Sequence, residues 1–352
     1  MAEASVQQRK HPAMPGVLVA VAVAIAGLLW AKWWPYQAKA HGLATTHTWA
    51  GSGIFGVGGV QPGDAPSWSA ATSFTSAYLR AIWKALVAAL LISAALQTLV
   101  PRTWLLRVLN RRRPVSAAVA GGLAATPSMM CTCCAAPVAV TLRRNGVPTA
   151  AVVAYWLGNP LLNPAVLVFL VFVAPWQWTL TRLVVGAAVV VGGAVLVARL
   201  TDRRVPEEVA VPGPAADEAP SLRRYLGALL RLVLTLVPEY LVVVMLIGAF
   251  RGWLFPLGGD LRSGLLVVVV AAIVGTLMVI PTAGEIPIVQ GLVLAGLSLG
   301  AAGALLVTLP AVSLPGIAMV GRTFGWRVTT ATAAVVVAGG LVGAALLPAL
   351  NL

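Results

Sequence analysis

Apolar stretches long enough to cross a bilayer recur along this chain, and they constrain its fold more than any other feature. A helix needs about 20 apolar residues to span the hydrocarbon core. Such runs fall at about 15–34, 77–100, 148–173, 178–200, 226–249, 300–320 and 327–349. Two more, at 115–146 and 263–298, are apolar but interrupted by prolines and polar residues. Only 10% of the 352 residues are charged, where a soluble domain carries about 25%. The expected fold is an all-α polytopic membrane bundle. It has about seven full spans, or nine to eleven helices when the two interrupted hairpins are counted.

The N-terminus has the outline of a signal peptide, with Arg9 and Lys10 ahead of an apolar run from Val17 to Leu29. No small-residue cleavage site comes after it. Trp30, Lys32, Trp33 and Trp34 come instead, which marks an uncleaved helix anchored at an interface. A polar, Gly-rich outer loop is expected from Pro35 to Ser76. The expected segments are an anchor helix and loop over 1–76, a first repeat over 77–200, a linker over 201–224 and a second repeat over 225–352.

The net charge of +14 would suggest nucleic acid in a soluble protein. Here the cations sit between apolar stretches, so topology and contact with anionic lipid headgroups explain them better. If the interrupted stretches are re-entrant, Lys32, Lys39, Arg80, Lys84, Arg182, Arg251 and Arg262 fall outside or near the outer interface. The other 17 of the 24 basic residues fall inside. That asymmetry supports re-entry.

The chain also repeats. A shift of 150 residues pairs Thr126 with Thr276, Thr132 with Thr282, Pro137 with Pro287 and Leu142 with Leu292. It also pairs Gly146 with Gly296, Ala154 with Ala304, Pro160 with Pro310 and Asn163 with Ser313. The two copies enter the membrane from opposite sides. This is an inverted repeat, a transporter architecture with its site near the midplane.

Four constellations carry candidate chemistry. All three cysteines, Cys131, Cys133 and Cys134, lie within four residues beside Met129 and Met130 and ahead of Pro137, which is expected to break the helix. Thiols and thioethers form a soft ligand set suited to Cu(I), other thiophilic metals or trivalent arsenic. On a regular helix only Cys131 and Cys134 share a face, so a three-thiol site needs a bent backbone. The plainer role of these small residues is close helix packing. Leu142 to Gly146 reads as a helix C-terminus closed by glycine, with Arg143 and Arg144 complementing the dipole. Gly158-Asn159-Pro160 and Asn163-Pro164 unwind a span and offer amides and carbonyls either to a substrate or to a neighbouring helix. Finally, Glu239 and Glu285 are the carboxylates within apolar stretches. At the bilayer centre an ionised carboxylate costs on the order of 3 kcal/mol or more. Each is therefore either a proton carrier or half of a structural pair with a base such as Arg231 or Lys84. His11, His41 and His47 are read as ordinary loop residues. No nucleotide-binding motif, phosphate-binding loop or Ser/His/Asp arrangement is present, so no cofactor, nucleic-acid partner or enzymatic chemistry is expected.

The runs MMCTCCAAPVAVTLRRNGVP, YWLGNPLLNPAVL and GEIPIVQGLVLAGLS resemble the bacterial predicted permeases of the arsenical-permease type over roughly residues 75–350. The resemblance implies a multi-pass protein of the bacterial inner (plasma) membrane whose named relatives export trivalent organoarsenicals. It points to Cys131, Cys133, Pro137, Asn159, Asn163 and Glu285 as site residues. Cys134 and Met130 make this chain's site softer still, and Ser313 joins it as the repeat partner of Asn163. The leading expectation is a secondary transporter exporting a thiophilic metalloid or metal, with proton coupling through Glu285 and secondarily Glu239. The alternatives are a thiol redox membrane protein using the Cys131-x-x-Cys134 spacing, or a transporter of an unrelated substrate with structural cysteines. Lipids and a small thiophilic ion are the expected partners.

Overall fold

A computed structural model describes residues 13–49, 54–202, 221–254 and 264–351. His11, Asp260, Arg262 and most of the 201–224 linker lie outside the described residues. Among the described residues, fourteen helices run in order. The first seven are α1 Pro15–Thr46, α2 Trp68–Thr98, α3 Arg102–Leu109, α4 Pro114–Ala125, α5 Thr132–Arg144, α6 Thr149–Leu161 and α7 Pro164–Val173. They continue as α8 Trp176–Thr201, α9 Leu222–Leu254, α10 Leu265–Leu277, α11 Glu285–Leu294, α12 Leu299–Ala311, α13 Leu314–Phe324 and α14 Trp326–Ala349. Six helical segments are long and apolar enough to span a membrane, and the α12–α13 pair, bent by 52°, makes a seventh. These spans make the protein a polytopic membrane bundle.

The 150-residue shift maps α2 onto α9 and α4 to α8 onto α10 to α14, in places to the residue: α6 begins at Thr149 and α12 at Leu299. Local chemistry repeats with it. Gly146 and Gly296 both adopt left-handed φ, of 81° and 99°. In each copy the next residue donates back across the end of the helix, Val147 to Leu142 at 3.1 Å and Leu297 to Leu292 at 2.9 Å. These are Schellman closures. Asn163 and Ser313 cap α7 and α13 through their side chains.

The copies are inverted. Gly63, just before α2, donates to the carbonyl of Gly252 near the end of α9 at 2.7 Å. The two equivalent helices therefore run antiparallel side by side. Helices α4 and α5, of 12 and 13 residues, reach only about 18–20 Å each, too short to cross. The α4–α5 pair is a re-entrant hairpin, and α10–α11 is its counterpart from the opposite side.

Several sequence expectations shift. Helix α1 runs on to Thr46 rather than stopping at Trp34, so His41 is helical rather than in a loop. A π-helical turn over Leu29–Trp33 widens the helix just ahead of Pro35 and absorbs the missing proline donor. Pro137 does not break its helix either: α5 passes through it, and the break lies upstream. There Thr126–Ser128 is 3-10 helix, Met129 is left-handed and Cys131 is extended. Of the seven cations assigned to the outer side, Lys32, Arg182 and Arg251 are buried within the protein.

Close packing depends on small residues. A Cβ on Gly121 of α4 would run into the Ala151 carbonyl of α6, and Gly303 of α12 and Gly343 of α14 face each other's carbonyls in the same way. Gly303→Val is expected to cost about 1–3 kcal/mol through overpacking. A lowered unfolding temperature in detergent checks this, and an unchanged temperature would contradict the close approach.

Candidate functional site

The first hairpin delivers its cysteines as a group. Cys131 is the extended residue that opens α5, while Cys133 and Cys134 lie in its first turn. That change of backbone supplies the bend a regular helix lacks. The Cys131 sulfur lies 3.1 Å from both other sulfurs, and all three fall within 4.8 Å of one another. All are free thiols and buried.

Three helices close around them. Tyr78 of α2 donates to the Ile280 carbonyl at 3.3 Å, and its oxygen lies 3.3 Å from Cys133. A phenol has one proton to give, so in this arrangement Cys133 donates its own to Tyr78. Tyr240 of α9 donates to the same sulfur at 3.6 Å. From α1, the π turn inserts Lys32, which is 5% exposed. Its Nζ donates to Tyr36 at 2.9 Å and to Thr282 of the second hairpin at 3.0 Å. Trp33 beside it donates to the Pro127 carbonyl of the first hairpin at 2.7 Å. Both hairpin tips thus meet around Tyr78 and α1.

The remaining expected residues brace this arrangement. Asn159 accepts from Ser128 and from the Met130 backbone and donates to Tyr155, so it fixes the hairpin tip. Met130 is fully buried. Asn163 caps α7, and its Nδ2 has no hydrogen-bond partner. Ser313 caps α13. Pro137 is buried inside α5 and leaves the Cys133 carbonyl without its helical donor. Glu239 is partly exposed, 3.9 Å from Arg322.

Glu285 begins α11, and its Oε1 lies 2.7 Å from Nη1 of Arg182, with both side chains buried. Its partner is neither Arg231 nor Lys84. Arg182 also donates to the carbonyls of Pro160, Leu161 and Leu306. Proline explains two of these: Pro164 and Pro310 lack the N–H that Pro160 and Leu306 would receive in a helix. The repeat equivalents of Pro160 and Leu161 are Pro310 and Ala311, and their carbonyls are taken by Thr132 of the first hairpin, at 2.6 and 3.1 Å. One half thus uses a hairpin threonine where the other uses an arginine, and Thr282 is released to meet Lys32. Sequence reasoning does not single out Lys32 or Arg182 as site residues. The proline-freed carbonyls are the available signal for Arg182.

Arg182→Met leaves a buried carboxylate and three acceptors unpaired, at an expected cost of about 3–5 kcal/mol. Adding Glu285→Gln should recover part of the lost melting temperature. A double variant no more stable than Arg182→Met would argue against the pair.

A family model described as "Predicted permease" matches residues 67–347. The chain is also 41% identical over 326 residues to UPF0718 protein YraQ of Escherichia coli (strain K12), covering 91% of each chain. No solved structure matches.

Proposed function

Because this chain belongs to the predicted permease family, we propose that it carries a thiophilic metalloid or metal, such as a trivalent arsenical or Cu(I), across the membrane by way of Cys131, Cys133 and Cys134. The observation that carries the reading is three buried thiols within 4.8 Å, held where two re-entrant hairpins of opposite orientation meet. Thiols select soft acceptors. The repeat supplies a means of alternating access, since two like halves can exchange conformations around one site. Export is the proposed direction, in the bacterial inner membrane.

Proton coupling through Glu285 belongs to the same proposal. A proton on this carboxylate removes its attraction to Arg182 and loosens the second hairpin from α8. Glu239, partly exposed 3.9 Å from Arg322, is the secondary candidate for the same role. In a strain lacking other resistance systems, replacing all three cysteines by serine is expected to abolish export of trivalent arsenicals or Cu(I), while the protein still reaches the membrane. Unchanged export would end the soft-ligand reading. In proteoliposomes, Glu285→Gln is expected to remove the dependence of transport on a proton gradient, and retained dependence would remove that role from Glu285.

A further inference from the structure

Helices α2 and α9, the antiparallel pair that carries Tyr78 and Tyr240, leave a cleft at each end. The two clefts have the same volume, about 390 Å³, as suits two ends related by the inverted repeat. Their linings differ. Where α2 starts and α9 closes, the cleft is faced by Trp68, Ala71, Val242, Met245 and Leu246, with no charged residue. Where α2 closes and α9 starts, it is faced by Gln97, Thr98, Arg223, Arg224 and Arg231, with no carboxylate. The packing of the pair leaves room at both ends, so it does not by itself call for arginines at one of them.

The arginines stand beside an apolar row. Arg223, Gly227 and Arg231 follow at four-residue steps along α9, so they share one face. Leu226, Leu230 and Leu234 form the neighbouring row, and each is more than half exposed. On a spanning helix that row meets lipid chains. A ligand in this cleft therefore finds guanidinium groups at one end and hydrocarbon at the other. We propose that the cleft between the end of α2 and the start of α9 binds the headgroup of one anionic phospholipid. Its phosphate takes forked, charge-assisted bonds from arginine, and its acyl chains lie along the leucine row, for which a free phosphate has no use. The charge count assigns this end to the cytoplasmic side, where anionic headgroups attract basic segments.

The site lies apart from the thiols and does not depend on what they carry. It nevertheless joins helices that reach them. Gln97 donates to Thr141 of α5, the helix that opens with the cysteines, at 3.0 Å. Tyr225 of α9 donates to the Leu91 carbonyl of α2 at 3.4 Å. A lipid held here ties α9 to α2 at the end where α5 is also attached.

The test uses purified full-length protein in detergent, titrated with phosphatidylglycerol, phosphatidylcholine or inorganic phosphate and read by native mass spectrometry. Wild type is expected to bind phosphatidylglycerol more tightly than either other probe. Arg223→Gln combined with Arg231→Gln is expected to weaken phosphatidylglycerol binding about tenfold or more. The control pair Arg111→Gln and Arg112→Gln removes two exposed arginines assigned to the same side and is expected to leave it unchanged. Should the first pair not fold, Arg223→Gln alone, at an exposed position, is expected to give a smaller loss in the same direction. Equal losses in the two pairs, or none in either, overturn the site in favour of general surface charge. Phosphatidylcholine bound as tightly as phosphatidylglycerol removes the role of the headgroup charge, and inorganic phosphate bound as tightly assigns the cleft to a free anion; either result overturns the proposal.

Discussion

Backbone carbonyls stripped of their donors inside an apolar bundle set the terms for the rest of this structure. Prolines at 160, 164, 310 and 315 interrupt equivalent spans of the two halves, and each removes an N–H that a carbonyl one turn earlier would have used. In lipid such a group costs several kcal/mol unless it is satisfied. A fully buried arginine supplies donors to the carbonyls of Pro160 and Leu306, and a hairpin threonine to that of Ala311. Those two side chains tie each broken span to other parts of the bundle, and they hold the hairpins where their tips can meet.

The halves answer the same problem differently, and the difference creates the site. Thr132 is committed to the second half's broken span. Its equivalent Thr282 is free for Lys32 because Arg182 has taken its place. Full symmetry would put like groups at both hairpin tips. The departure instead sets thiols at one and a carboxylate with its guanidinium at the other, and leaves the second hairpin's Thr282 to the Lys32 ammonium.

Much of the fold is legible in the residues alone because its punctuation is chemical. Gly146 and Gly296 close helices, Pro160 and Pro310 sit one residue before the ends of α6 and α12, and their constant spacing exposes the repeat. The cysteines likewise declare themselves by clustering. Lys32 and Arg182 are hidden by a sound rule applied without partners. A cation near the end of an apolar run normally reaches for the interface, and only the fold reveals that Thr282 and the proline-freed carbonyls lie closer. The extent of α1 is hidden for a related reason: Pro35 ordinarily ends a helix, and the wide turn that accommodates it leaves no clear mark in the residues.

That wide turn has an evolutionary consequence. A π turn amounts to one extra residue in an otherwise α-helical register. Deleting a single residue between Leu29 and Trp33 would restore the α register and rotate the N-terminal part of α1 by about 100° relative to its C-terminal part. Lys32 or the lipid-facing stretch before it would then turn away from its present neighbours. The family match begins only at residue 67, beyond this helix. Lys32 therefore sits on a segment whose orientation a one-residue insertion or deletion, rather than any change in the permease core, is enough to reset.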